Sequence, residues 1–234
     1  GVVIHFRGCS GEPNKLPRAY HSGDSAEIDW MVRRLRSENP GTTINVVGVS
    51  LGGNALLKWL GEQGDAARAL VARAAAVSAP MDLMAAGDAL GRGFNLVYTR
   101  AFLSTLKRKS LAKARLYPEL YDAALVSSAR TLRAFDNVVT APLHGFRDTD
   151  DYWTRASAKP WLARIALPTL VLNARNDPFL PHTALPRRNE VSSAVCLEFP
   201  EHGGHVGFVS GRFPGHLEWL PRRIIDFFSA DHAD

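Results

Sequence analysis

Cysteine is scarce in this chain. Cys9 and Cys196 are the only two in 234 residues. That is too few for a disulfide framework, so a reducing compartment, the cytoplasm by default, is the expectation. No uninterrupted apolar run is long enough to span a bilayer. Internal repeats, low-complexity tracts and zinc-ligand spacings are also missing, which excludes solenoids and small zinc modules. An excess of acid is absent too: Lys and Arg total 28, Asp and Glu 23, for a net charge of +5. That charge is compatible with attraction to anionic surfaces and says little about chemistry. The chain opens on Gly1-Val2-Val3-Ile4 without an initiator Met, already inside a strand-like run, so the lack of a leader carries no information about location. What is present is a composition 46% hydrophobic and 22% charged, suited to one globular domain with a substantial core and room for an inserted subdomain.

The densest local signal is Val46-Val47-Gly48-Val49-Ser50-Leu51-Gly52-Gly53-Asn54. A β-branched run from Ile44 to Val49 ends at Ser50, and Ala55-Leu56-Leu57-Lys58-Trp59-Leu60 reads as helix. Gly-x-Ser-x-Gly at a strand-to-helix junction lifts a serine hydroxyl clear of a sheet on a sharp, strained turn. The spacing predicts that Gly48 and Gly52 lack the Cβ atoms that would clash where helix and strand approach. The N–H groups after Ser50 lie at a helix N-terminus, where partial positive charge favours an oxyanion. The bland alternative is a tight β–α turn with Ser50 as its N-cap.

In chain order, residues 1–6 read as a buried strand and 7–14 as a turn-rich loop. Residues 24–36 read as a helix with Ile28, Met31, Val32 and Leu35 on one face. The helix after Ser50 runs to about Gly64, and 70–77 reads as a third strand, its alanine content leaving helix as the alternative. From Pro80 the pattern changes: 81–141 has helical periodicity, several aromatics and no convincing strand. The chain thus divides into a core, 1–79 and 142–234, and a helical insertion, 80–141. Phe94, Leu96, Val97, Phe102 and Leu103 offer the insertion a pocket wall, or ordinary core. Arg100, Lys107, Arg108, Lys109, Lys113 and Arg115 form a basic run without an acid: peripheral contact with an anionic membrane, or a solvated face. Strand signals return at 168–173 and 194–199. A last amphipathic helix, 216–228, turns Leu217, Leu220, Ile224, Phe227 and Phe228 inward. The alternation predicts an α/β fold with a mostly parallel sheet covered on both faces.

In such sheets chemistry collects at the carboxyl ends of strands. Asp177 follows the strand ending near Asn173, and His205 follows the one ending at Phe199. A serine hydroxyl is a poor nucleophile unless a base takes its proton, and the base needs a carboxylate to fix its tautomer. Ser50, Asp177 and His205 supply that set in order. His202 is the rival base, with Gly203-Gly204 favouring His205 by allowing a mobile loop to present it. Asp148, Asp150 and Asp151 are rival acids, but they precede a helix-like stretch and read as turn and N-cap residues. They lack the EF-hand glycine and terminal glutamate, so no metal is expected there. His5, His21 and His144 read as structural.

His5-Phe6-Arg7-Gly8-Cys9-Ser10-Gly11-Glu12-Pro13-Asn14, Tyr20-His21-Ser22-Gly23, Gly48-Val49-Ser50-Leu51-Gly52-Gly53-Asn54, Pro142-Leu143-His144-Gly145-Phe146, Asp151-Tyr152-Trp153 and Gly204-His205-Val206-Gly207-Phe208 together resemble the YheT/EMB8-type α/β hydrolases. The resemblance covers nearly the whole chain. It implies an α/β-hydrolase fold with a helical cap, and a serine esterase or lipase acting on a small-molecule acyl ester or lipid. Neither a cofactor nor a nucleic-acid partner is implied. By motif, Ser50 is the nucleophile, Asp177 the acid and His205 the base, and the Leu51 N–H is one half of an oxyanion hole. The family pattern also has a segment ahead of this chain's first strand, with a His-Gly turn that supplies the second oxyanion N–H. Its strand belongs between residues 1–6 and the Ser50 strand, so residues 1–234 alone are expected to be poorly soluble and little active. Two alternatives stand beside ester hydrolysis. One is acyl transfer to an alcohol, although none of the eight histidines begins the His-x4-Asp motif of some relatives. The other is a non-catalytic fragment that keeps the fold for binding.

Overall fold

A computed structural model describes residues 1–230. The strands are β1 (Asn45–Val49), β2 (Arg73–Val77), β3 (Thr169–Leu172) and β4 (Val195–Glu198). They pair in chain order, and every pair is parallel. Parallel neighbours require crossover connections; α-helices supply those from β1 to β2 and β2 to β3, and irregular chain with two short 3-10 turns joins β3 to β4. Helix α1 (Ser25–Glu38) precedes β1, and α2 (Leu51–Gln63) joins β1 to β2. Between β2 and β3 lie α3 (Leu83–Leu90), α4 (Leu96–Leu116), α5 (Ala123–Ser128), α6 (Leu132–Val138), α7 (Thr140–Leu143) and α8 (Thr149–Ala156). Helix α9 (Trp219–Ser229) follows β4.

Period-two alternation sorts the strand side chains between the two faces. Val46, Ala74, Ala76 and Val171 pack under Leu56, Leu57, Trp59 and Leu60 of α2 and Val32 of α1. Trp59, Leu57 and Leu60 are wholly buried, each contributing on the order of 1.5–3 kcal/mol. Ala75, Val77, Leu170 and Leu172 face the other way, against Leu220, Ile224, Phe227 and Phe228 of α9. Leu217 does not join them: it precedes the first turn of α9 and is 62% exposed. Strand β2 begins at Arg73 rather than Leu70, because the Leu70 and Val71 N–H groups close a turn on the Ala67 carbonyl.

Residues 1–6 depart from the expected strand. They are irregular, and Val2, Val3 and Ile4 are exposed. Apolar, β-branched residues supply propensity, but a strand also needs a hydrogen-bonding neighbour, and no described strand pairs with these residues. Strand β1 is itself the sheet edge, with Val47 and Val49 46% and 44% exposed. Phe6 instead stacks on Tyr20, ring centroids 5.6 Å apart.

The chain leaves the sheet after β2, and the long excursion that follows closes near its starting point before residues 159–168 cross over to β3. Lys159 N–H donates to the Met81 carbonyl (3.0 Å), and Leu83 N–H to Ser157 Oγ (2.9 Å). No described helix is long and apolar enough to cross a membrane.

Candidate active site

Ser50 ends β1 and opens α2 with φ of +51°, a left-handed conformation that a serine keeps only where its surroundings enforce it. Its N–H donates to the Val77 carbonyl of β2 (2.8 Å), and its carbonyl accepts from Gly53 and Asn54 (2.9 and 3.2 Å). The Leu51 and Gly52 N–H groups have no acceptor among the described residues, so the first amides of α2 are left beside the serine hydroxyl. That hydroxyl makes no helix-capping bond. Gly48 meets the expectation for close approach: a Cβ there would lie 2.5 Å from the Gly52 carbonyl oxygen. Gly52 does not, since its Cβ would meet only a Phe6 ring atom at 3.9 Å. The second closed position is Gly53, where a Cβ would be 2.9 Å from Ala79 Cβ. The helix presses on the end of β2 through Gly53 and turns Gly52 away.

Ser50, His205 and Asp177, which follow three different strands, meet at the carboxyl edge. Ser50 Oγ lies 2.9 Å from His205 Nε2. In the tautomer protonated on Nδ1, His205 donates to Asp177 Oδ2 at 2.9 Å, with Oδ1 at 3.1 Å. The Asp177 side chain is 1% exposed. Asn176 Oδ1 accepts from the Gly203 and Gly204 N–H groups (3.0 and 2.8 Å), stitching the aspartate loop to the histidine loop. Gly203 serves close packing rather than mobility, because a Cβ there would sit 2.6 Å from the Phe208 ring. His202 is exposed and makes no bond to Ser50. Asp148 caps α8 by accepting from Asp151 N–H, and Asp150 pairs with Arg133.

Two residues that sequence reasoning passed over hold this edge together. Asn54 is fully buried in α2: its Nδ2 donates to the Ser22 and Ala156 carbonyls (both 2.8 Å), and its Oδ1 accepts from Ala158 N–H (2.9 Å). An amide in the first turn of an otherwise apolar helix was the available signal. Ser78, at the end of β2, has φ of +51° and accepts from Val206 N–H (3.3 Å), supporting the residue after His205.

Ser50, Leu51 and His205 open on a cavity of about 630 Å³, within the range of small-molecule sites. Its walls are mainly apolar, with Leu83, Leu90, Phe102, Leu106, Leu132 and Phe135 among them. Of the insertion residues expected to line a pocket, Phe102 does so. Leu103 packs with Val126 and Phe135, whereas Phe94 and Val97 face outward, 77% and 52% exposed. Asp136 also lines the cavity; burial pushes its carboxyl up to about 6 despite bonds from Thr140 (2.6 Å) and Trp153 (2.9 Å). The His21 and His144 rings lie 4.6 Å apart with planes inclined by 56°, and burial lowers both to about 4. Arg18 assists in both cases, and the His21 ring itself acts on His144. In the basic run, Lys107 donates to the Ser127 carbonyl (2.8 Å) and Lys113 to the Leu16 carbonyl, both structural contacts. The described residues contain no cluster of three or more His, Cys, Asp or Glu able to hold a metal.

A parallel sheet flanked by helices, with a serine on a strained strand-to-helix turn, defines a class. The chain belongs to the alpha/beta hydrolase family, whose model matches residues 1–211. It is of the YheT type: YheT of Escherichia coli (strain K12) is 41% identical over 231 residues, covering 98% of this chain and 67% of that one. Phospholipase ABHD3 of Mus musculus is 32% identical over 231 residues, covering 98% of this chain; the chain spans 56% of that relative's length. Among solved structures, an esterase (EaEST) from Exiguobacterium antarcticum shares the fold, with TM-score 0.54 and 17% identity, over 96% of this chain and 80% of that one.

Proposed function

We propose that the chain carries the catalytic centre of a serine hydrolase that cleaves carboxylic esters of small acyl or lipid substrates. The observation that carries this reading is the unbroken hydrogen-bonded series Ser50–His205–Asp177 at the mouth of a mainly apolar cavity. Ser50 Oγ attacks the acyl carbon while its proton passes to His205 Nε2. Asp177 keeps Nδ1 protonated and stabilises the imidazolium. The carbonyl oxygen, now negative, takes the Leu51 N–H as a donor, one half of its oxyanion hole. His205 then protonates the leaving alkoxide, and an acyl group remains on Ser50. Water, deprotonated by His205, attacks that acyl group and regenerates the serine. The helices of residues 80–141 act as a cap whose inner surface receives the acyl chain. That ABHD3 is named a phospholipase supports an acyl-lipid substrate class.

The test is covalent. In a protein extended to the length of its relatives, a fluorophosphonate probe should label Ser50, located by peptide mass spectrometry, and Ser50→Ala should lose both labelling and p-nitrophenyl ester hydrolysis while retaining the fold. Turnover that survives Ser50→Ala would refute a serine mechanism. Substituting Leu90 or Leu106 in the cavity wall should alter the acyl chain-length profile, and an unchanged profile would count against the cap.

A further inference from the structure

Phe179 stands where three separate contacts converge. Its backbone N–H donates to Asp177 Oδ1 (2.9 Å), so it helps to fix the carboxylate that holds His205. Its ring packs on the His205 imidazole with centroids 4.2 Å apart and planes inclined by 38°. The same ring also meets two residues of α4 in T-shaped contacts: Tyr98 at 4.9 Å and Phe102 at 5.7 Å. One residue earlier in the loop, the Pro178 carbonyl accepts from Asn95 Nδ2 (2.6 Å), immediately before α4, and the same amide also holds the Ala89 carbonyl (3.1 Å). The start of α4 is therefore fastened to the acid loop by a polar bond and by an aromatic stack that ends on the histidine.

We propose that Phe179 is a positioning residue that sets the orientation of His205 and transmits the placement of α4 to it, given the serine hydrolase reading above. The chemistry requires His205 to face Ser50 through Nε2 and Asp177 through Nδ1 at the same time. An imidazole held by two hydrogen bonds can still swing about the axis through them. A ring face packed against it removes that freedom and excludes water from the Nδ1–H···Asp177 bond. Tyr98 and Phe102 in turn hold the Phe179 ring. A side chain that acts in this way affects the rate of the chemical step more than it affects binding, because misplacement by about an ångström at a reacting group costs roughly a hundredfold.

The test uses the protein extended to the length of its relatives, as wild type and with Phe179→Ala, Phe179→Tyr, Asn95→Ala and the Phe179→Ala/Asn95→Ala pair. Three quantities are followed: kcat and KM on a p-nitrophenyl ester, the rate of fluorophosphonate labelling at Ser50, and the strongly downfield proton resonance of His205 Nδ1–H. Phe179→Ala should lower kcat and the labelling rate roughly tenfold to a hundredfold with little change in KM, and the resonance should broaden through exchange with water. Phe179→Tyr, which restores the ring, should recover all three. Asn95 neither lines the cavity nor touches Ser50, His205 or Asp177. Asn95→Ala should lower kcat in the same sense and add little to Phe179→Ala, since the two act along one route. A loss confined to KM would make Phe179 merely a cavity wall and overturn the proposal. So would a wild-type resonance in Phe179→Ala, failure of the tyrosine to rescue a folded protein, or full additivity with Asn95→Ala. If the extended wild-type protein is not labelled at Ser50, the hydrolase reading itself fails, and the resonance still decides whether Phe179 orders the His205–Asp177 pair.

Discussion

Replacing Asp136 by Asn isolates the cost of keeping a carboxylate in the cavity wall. Asp136 is raised from an ordinary value of 3.8 to about 6 by burial, against the opposing bonds from Thr140 and Trp153. The folded protein therefore binds this proton more tightly than the unfolded chain does. Stability falls as pH rises from about 4 to about 6, and above that window the full penalty, about 3 kcal/mol, is present. Between about pH 5 and about pH 7.5 the same linkage amounts to on the order of 1 kcal/mol, because much of the difference has already developed by pH 5. Asparagine is nearly isosteric with the protonated acid. Its carbonyl can accept from Trp153 Nε1–H, and its amide can donate to Thr140 Oγ, which is able to turn and accept. Urea denaturation of both proteins at the two pH values should find that the stability gained by Asp136→Asn is larger at the higher pH by on the order of 1 kcal/mol. The lowered histidines His21 and His144 are common to both proteins and cancel in the comparison. A gain independent of pH would refute the reasoning, since it would mean that burial does not hold the proton on Asp136.

Gly48→Ala should destabilise by roughly 1–3 kcal/mol or more in denaturant titration, because its Cβ meets backbone that cannot yield, while Gly52→Ala should be tolerated. Equal costs at the two sites would contradict the geometry of the turn. Asn54→Ala leaves the Ser22 and Ala156 carbonyls and the Ala158 N–H buried without their partner, each worth roughly 1–3 kcal/mol, and should lower the thermal midpoint sharply. His21, lowered to about 4, binds its proton more readily in the unfolded chain, so its contribution is complete above about pH 6.5 and is lost as pH falls towards 4. His21→Phe should therefore flatten the acid limb of stability measured by circular dichroism, and an unchanged limb would place the acid sensitivity elsewhere.

The sequence made the inner strands legible because each is a short apolar run that stops at a turn residue, and a parallel sheet buries such runs from both sides. Ser50, Asp177 and His205 were legible as candidates because the carboxyl ends of those strands are where loops converge. Residues 1–6 misled because they carry the same β-branched signal, yet pairing depends on a neighbour that the pattern does not specify. Gly52 and Gly53 could not be told apart by spacing, since only the angle between α2 and β2 decides which of them faces Ala79. Phe179, Asn54 and Asp136 stayed silent for a related reason. What each does depends on partners across the fold, up to 104 positions away in the case of Asn54. Leu217 obeyed the helical period but lies before the helix it was assigned to.

The short closure between Met81 and Lys159 has a consequence for how this chain can change. Segment 82–158 begins and ends at points one hydrogen bond apart, with the crossover to β3 left to residues 159–168, so its two ends sit where a tight turn could join them. Strands β2 and β3 hold their register through their own ladder, with Val77 opposite Leu172. The length and sequence of the segment are thereby uncoupled from strand register, and lengthening a loop costs little entropy. Transplanting a different helical segment between the same two anchor points would replace much of the cavity wall, including Leu83, Phe102 and Phe135, while Ser50, Asp177 and His205 stay on the sheet. The architecture separates what is recognised from the strands that carry the serine, histidine and aspartate, so a recombination event confined to one contiguous stretch of gene can exchange the first, provided the incoming segment holds Phe179 as Tyr98 and Phe102 do.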